Sequence, residues 1–167
     1  IDYSEEQKHE LLLIDHKEML DQLPDKNFIK KFYGYFPDDT AEIVNNYQNK
    51  VDAIICYSIF HYVFYNSCCF KFLDVAVSLL KPGGKLLVAD IPNISKRKRF
   101  FNTETGIAYH QAFTNTKTLP EVVHLVMEPA QMDDGVVFGI LQRYRNFGFE
   151  TYLLPQDSML PMANRRE

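Results

Sequence analysis

Short apolar runs alternate along the chain with stretches whose apolar residues recur at helical spacing. Residues 11–14 (Leu-Leu-Leu-Ile) form an unbroken apolar run of the kind expected where both faces of a parallel strand are covered, and the run ends at Asp15. Residues 17–23 predict a short helix with Met19, Leu20 and Leu23 near one face, stopped by Pro24. A second strand is predicted over 28–33. Asp38 and Asp39 then offer caps for a helix carrying Ala41, Ile43, Val44 and Tyr47, their carboxylates near its positive end. Residues 51–57 read as the central strand, continuous and partly β-branched. Residues 68–80 are amphipathic at helical spacing through Phe72, Val75, Ala76, Leu79 and Leu80, and Pro82-Gly83-Gly84 ends that helix before a buried strand at 85–89. The pattern is irregular from 91 to 132, where a cap or lid over a ligand site is expected. A helix at 135–147 closed by Gly148 and a last strand at 149–154 complete the reading.

Alternating strands and helices predict an α/β chain, with a mostly parallel sheet, helices on both faces and right-handed crossovers. Such sheets bind ligands beyond the carboxyl ends of their strands, which directs attention to Asp15-His16, Gly34-Tyr35-Phe36, Tyr57-Ser58 and Asp90-Ile91.

At 167 residues the chain suits one domain with a sizeable core. Three cysteines, two of them adjacent at Cys68-Cys69, cannot form a fully paired framework and lack a C-x-x-C spacing, so a reducing cytoplasm is the expected setting. No apolar run reaches the roughly 18 residues that span a bilayer, and residues 1–10 lack the basic-then-apolar order of a signal peptide, so a soluble protein away from membranes is expected. A formal net charge of -4 argues against general nucleic-acid binding, although Lys96-Arg97-Lys98-Arg99 is a local basic run that reads as a solvated loop or as a site for an anionic ligand. The five histidines are scattered, none at a metal-ligand spacing, so no metal is expected.

Three segments resemble class I S-adenosylmethionine-dependent methyltransferases. Leu11-Leu12-Leu13-Ile14-Asp15-His16-Lys17-Glu18-Met19 is similar to that family's second strand, in which an acid ends the strand and Met follows. Val51-Asp52-Ala53-Ile54-Ile55-Cys56-Tyr57-Ser58 resembles its fourth strand, opened by an aspartate. Leu79-Leu80-Lys81-Pro82-Gly83-Gly84-Lys85-Leu86-Leu87-Val88-Ala89-Asp90 is the most specific match, a turn entering an apolar strand in small-molecule members of the family. The resemblance implies a Rossmann-like, doubly wound, three-layer sheet. It also implies a strand and a G-x-G-x-G-like loop ahead of Leu11, which the glycine-free residues 1–10 do not supply, and a further strand after Glu167. Either residues are absent from this sequence or the chain is a degenerate member without the cofactor loop.

The resemblance places the ribose hydroxyls of S-adenosylmethionine on Asp15, whose two carboxylate oxygens suit a vicinal diol; the alternative is a cap on the following helix. His16, Tyr35 and Phe36 offer flat walls for the adenine, although many aromatic residues of this chain must be core. Cys56, Tyr57 and Ser58 are expected to pass the sulfonium. A hydroxyl acceptor calls for a base, for which His61 and Asp90 are the candidates, against readings as a packed loop histidine and a turn residue before Pro92. The expected activity is methyl transfer to a small-molecule acceptor, a hydroxyl of an anionic or sugar-like compound. A non-catalytic scaffold is one alternative. A nicotinamide-dependent oxidoreductase or epimerase is another, since an acid after the second strand serves a ribose there too, but the chain has no Tyr-x-x-x-Lys pair.

Overall fold

The first apolar run forms strand β1 (Leu11–Asp15), which pairs in parallel with β2 (Ile29–Tyr33) in a register that sets Leu11 against Ile29 and Asp15 against Tyr33. The computed structural model of the chain describes residues 1–126, 128–157, 159–160 and 162–167. Helix α1 (Asp2–Glu6), which the polar start did not suggest, precedes β1, and a single turn of helix, α2 (Lys17–Leu20), follows it. α2 ends earlier than Pro24 requires: only Leu20 is buried, so Met19 and Leu23 supply no apolar anchor for a second turn. After β2 comes α3 (Ala41–Tyr47), with Ile43 buried and Thr40 as N-cap residue. The expected capping by Asp38 and Asp39 is not found. Asp39 instead accepts from the Tyr35 N–H at 2.9 Å, and Asp38 pairs with Lys71.

Strand β3 (Val51–Tyr57) leads into α4 (Phe60–Asn66), then α5 (Cys69–Leu79), which buries Phe72, Leu73, Ala76 and Leu79 along one stripe. β4 (Leu80–Ala89) follows without a loop and pairs with β3. The hydrogen bonds from Lys50 N to Leu79 O (2.9 Å) and from Ser58 N to Ala89 O (3.0 Å) run in the same sense at the two ends, which makes this pair parallel as well. The Pro82-Gly83-Gly84 segment does not separate helix from strand as expected. It lies inside β4, where Gly83 takes φ 81° and a Cβ on Gly84 would stand 3.0 Å from the Val51 carbonyl oxygen.

The molecule is mixed α/β with two short parallel strand pairs, β1-β2 and β3-β4, and no ladder joins the pairs among the described residues. β3, expected as a central strand, is exposed along part of its length. Cys56 is buried, but its neighbours Ile55 (70% exposed) and Tyr57 are open, as is Leu87 on β4. A two-stranded sheet leaves each strand one unpaired edge.

The chain divides into two compact units. The first comprises Ile1–Ile54 and Phe70–Leu86, with a core of Leu20, Ile43, Phe72, Leu73, Ala76, Leu79 and Leu80. The second comprises Ile55–Cys69 and Leu87–Glu167, with Cys56, Phe60, Ile91, Met132, Val137 and Tyr144 buried. Residues 94–114, expected to be irregular, form a helical hairpin in the second unit: α6 (Ile94–Phe101), on which the basic run lies, and α7 (Glu104–Thr114). Aromatic rings of the two helices pack on one another. Tyr109 lies 5.9 Å from Phe100 and stacks on Phe113 at 6.2 Å.

Helix α8 (Asp134–Asn146) is capped by Asp133, which accepts from Val136 N at 2.9 Å, and is closed by Gly148 at φ 89°. The strand expected at 149–154 is absent among the described residues. Arg145 takes the Thr151 carbonyl at 2.7 Å and the hydroxyl at 3.0 Å, so this backbone turns back onto α8. An antiparallel bridge is formed by the last residues of the sequence: Ile91 and Glu167 exchange bonds of 2.7 and 2.8 Å about a Pro92–Arg166 bridge. Among the described residues no helix is long and apolar enough to cross a membrane.

Candidate functional site

The predicted site residues fall into one cluster in each unit. In the first, Asp15 ends β1, and its carboxylate accepts one hydrogen bond, from His16 N at 2.7 Å. α2 has His16 as its N-cap residue and no side-chain cap bond, so the helix-cap reading of Asp15 fails. The His16 ring meets Tyr35 edge-on at 4.6 Å, and both are exposed, forming a small aromatic corner. Phe36 is half-buried against Phe72 at 5.2 Å, where it packs the core of this unit.

The second cluster stands at the carboxyl ends of β3 and β4. Ser58 (φ 57°) and Asp90 (φ 60°) both occupy the left-handed region, unusual for residues other than glycine and a form of strain that gathers at functional sites. Cys56 precedes them, its thiol pushed up to about 11 by burial and therefore neutral; Tyr57 is exposed. His61 sits in the first turn of α4 with its ring 4.0 Å from Tyr62, and its Nδ1 is buried without a hydrogen-bond partner. Burial holds its pKa below the ordinary 6.5; the positive charge of Arg166 adds to this and Asp90 opposes it. Asp90 is 8% exposed and accepts from Arg166 Nη1 at 2.5 Å. The structure thus brings together the two candidate bases, His61 and Asp90, and adds Arg166. No local pattern announced Arg166, since it reaches Asp90 across 76 residues of sequence.

Behind this cluster lies a buried polar hub. Asn93, 1% exposed, caps α6 by accepting from Ser95 N (2.9 Å) and Lys96 N (3.2 Å). Its amide donates to Asp134 at 2.8 Å and to Glu167 at 3.3 Å, which ties the start of α8 and the Arg165–Glu167 segment to the residues just after β4. Burial alone would raise the Asp134 pKa, but the bonds from Arg99 and Asn93 outweigh it and hold the carboxyl below its usual range. Among the described residues no group of three or more His, Cys, Asp or Glu is placed to hold a metal ion.

His61 gives this cluster a pH signature. Its folded pKa lies below the unfolded value of about 6.5, so protonation favours the unfolded chain. Stability is unaffected above that value and falls as pH drops from 6.5 through the folded pKa. Urea titrations between about pH 8 and 5 should show wild type losing stability relative to His61→Gln as the pH falls. Parallel curves for the two proteins would mean that His61 is not held neutral by its surroundings.

No protein-family model matches the chain, and no curated protein or solved structure matches it.

Proposed function

We propose that the chain is the core of a class I S-adenosylmethionine-dependent methyltransferase acting on a small-molecule acceptor. The observation that carries this reading is Asp15: a carboxylate at the carboxyl end of a parallel strand, engaged only by the adjacent His16 N–H among the described residues and flanked by the exposed His16–Tyr35 corner. That arrangement fits a ribose diol, whose two hydroxyls donate to the two carboxylate oxygens, with a purine face near the aromatic corner. The Leu-Lys-Pro-Gly-Gly sequence, although it forms the first half of β4 and not a turn before it, supports the same reading by its residues. In this proposal the sheet is doubly wound in three layers.

The cofactor supplies the electrophilic methyl group when bound. The chain's residues then hold and orient the reactants, which is most of what an in-line displacement needs. Asp15 positions the ribose. His61, neutral near pH 7, accepts the proton of an acceptor hydroxyl, and Asp90, held by Arg166, orients that hydroxyl.

Calorimetric titration of Asp15→Ala tests this reading. S-adenosylmethionine binding should weaken by about 1.5–3 kcal/mol, the range for hydrogen bonds to a charged group, while the thermal melt is unchanged. Equal affinity in the folded variant would remove Asp15 from the site.

A further inference from the structure

Three of the four cations on α6 are neutralised within the second unit: Lys96 by Glu167 at 3.0 Å, Lys98 by Glu128 at 2.8 Å, and Arg99 by Asp134. Arg97 has no carboxylate partner among the described residues and rests 5.6 Å over the Phe101 ring. Arg165 is in the same position. It donates to Tyr109 Oη at 3.2 Å and lies 4.9 Å over that ring, but it pairs with no carboxylate, and its Nε is buried without a hydrogen-bond partner. Both residues, Arg97 exposed and Arg165 half-buried, line one cavity of about 210 Å³. Arg166 and Gln131 add donors to its wall, Pro92 and Met162 make it partly apolar, and no acidic residue lines it. Arg97 also borders a neighbouring cavity of about 250 Å³, but there Glu121 and Glu128 offset the cations.

Two arginines without a carboxylate partner among the described residues, one exposed and one half-buried, line one cavity that holds no acid, and this makes it a favourable place for an anion. We propose that this cavity binds the phosphate group of a small phosphate ester. A phosphate monoester carries about -1.5 to -2 at neutral pH, matching Arg97 and Arg165 together, and its oxygens suit the planar guanidinium fork. A carboxylate satisfies only one of the two cations. The cavity exceeds the phosphate itself, and the Pro92 and Met162 wall takes the organic part of the ester. As the anchor of the methyl acceptor this site rests on the function proposed above; as an anion site it does not.

Calorimetry on the full-length protein with phenyl phosphate, benzoate and S-adenosylhomocysteine separates these statements. Saturable phenyl phosphate binding is expected, with benzoate about tenfold weaker or more. Arg97→Gln and Arg165→Gln should each weaken phenyl phosphate about tenfold or more with an unchanged melt, whereas Lys85→Gln, an exposed cation of the other unit, leaves it unchanged. Absence of saturable binding, equal affinity for benzoate, or arginine variants that bind like wild type would overturn the site. Phenyl phosphate binding without S-adenosylhomocysteine binding would support the anion site and overturn its role as an acceptor anchor. The reverse result would overturn the anion site alone.

Discussion

Gly106→Ala is expected to destabilise the second unit by about 3 kcal/mol or more, at the upper end of overpacking effects. In an isolated helix the same change stabilises by roughly 0.5–1 kcal/mol, because glycine is the more flexible residue. The sign reverses here because α7 approaches α6 at Gly106. A Cβ there would stand 2.0 Å from the Phe100 carbonyl oxygen, 2.7 Å from its carbonyl carbon and 2.8 Å from Phe101 Cα. All three are backbone atoms, so no rotamer change relieves the clash, and the hairpin must open. Opening it would disturb the rings of Phe100, Phe101 and Tyr109 and, through them, Arg165. Urea denaturation monitored by circular dichroism measures the effect. A variant as stable as wild type would mean that α6 and α7 do not meet at this position.

Asn93→Ala should cost about 2–4 kcal/mol. Loss of the α6 cap accounts for about 1 kcal/mol, and removing the amide donor from two carboxylates, Asp134 and Glu167, for the remainder. The effect is large because Asn93 is fully buried and all of its capacity is used, two acceptor and two donor bonds. Asn93→Asp keeps the cap but sets a third carboxylate against Asp134 and Glu167, so it should be no better tolerated near pH 7 and should recover toward acid pH as carboxyls protonate. Denaturation midpoints for the two variants at pH 7 and 5 check both statements, and a loss under about 0.5 kcal/mol for Asn93→Ala would contradict the hub.

What was legible in the sequence was whatever rests on local pattern. The run at Leu11 to Asp15, the strand over Val51–Tyr57 and the α5 stripe at Phe72, Ala76 and Leu79 were all visible from spacing, as was the close of α8 at Gly148. The α/β class follows from these. The irregular pattern of residues 91–132 gave no sign of α6 and α7, whose aromatic rings pack on one another. The strand expected at 149–154 failed for a reason no window reveals: its backbone carbonyl at Thr151 is taken by Arg145. Pro82-Gly83-Gly84 was a sound turn signal that became a distortion within β4, because Gly84 fits closely against the Val51 carbonyl.

Among the candidate site residues, His61 and Asp90 were readable as residues that follow strands. Their shared neighbourhood was not, since Arg166 joins them from the far end of the sequence. Asn93 stands before a helix, but the irregular pattern of residues 91–132 gives no sign of the helix that it caps. The basic run was noticed, but only the structure separates Arg97 from its three neutralised neighbours.

The central claim is that Asp15 serves the ribose of S-adenosylmethionine and not that of another ribose-bearing cofactor. Calorimetric titration of the full-length protein with S-adenosylhomocysteine and, separately, with NAD tests it most directly. Saturable binding of S-adenosylhomocysteine with no heat of binding for NAD is the predicted result; binding of NAD alone, or of neither, would contradict it.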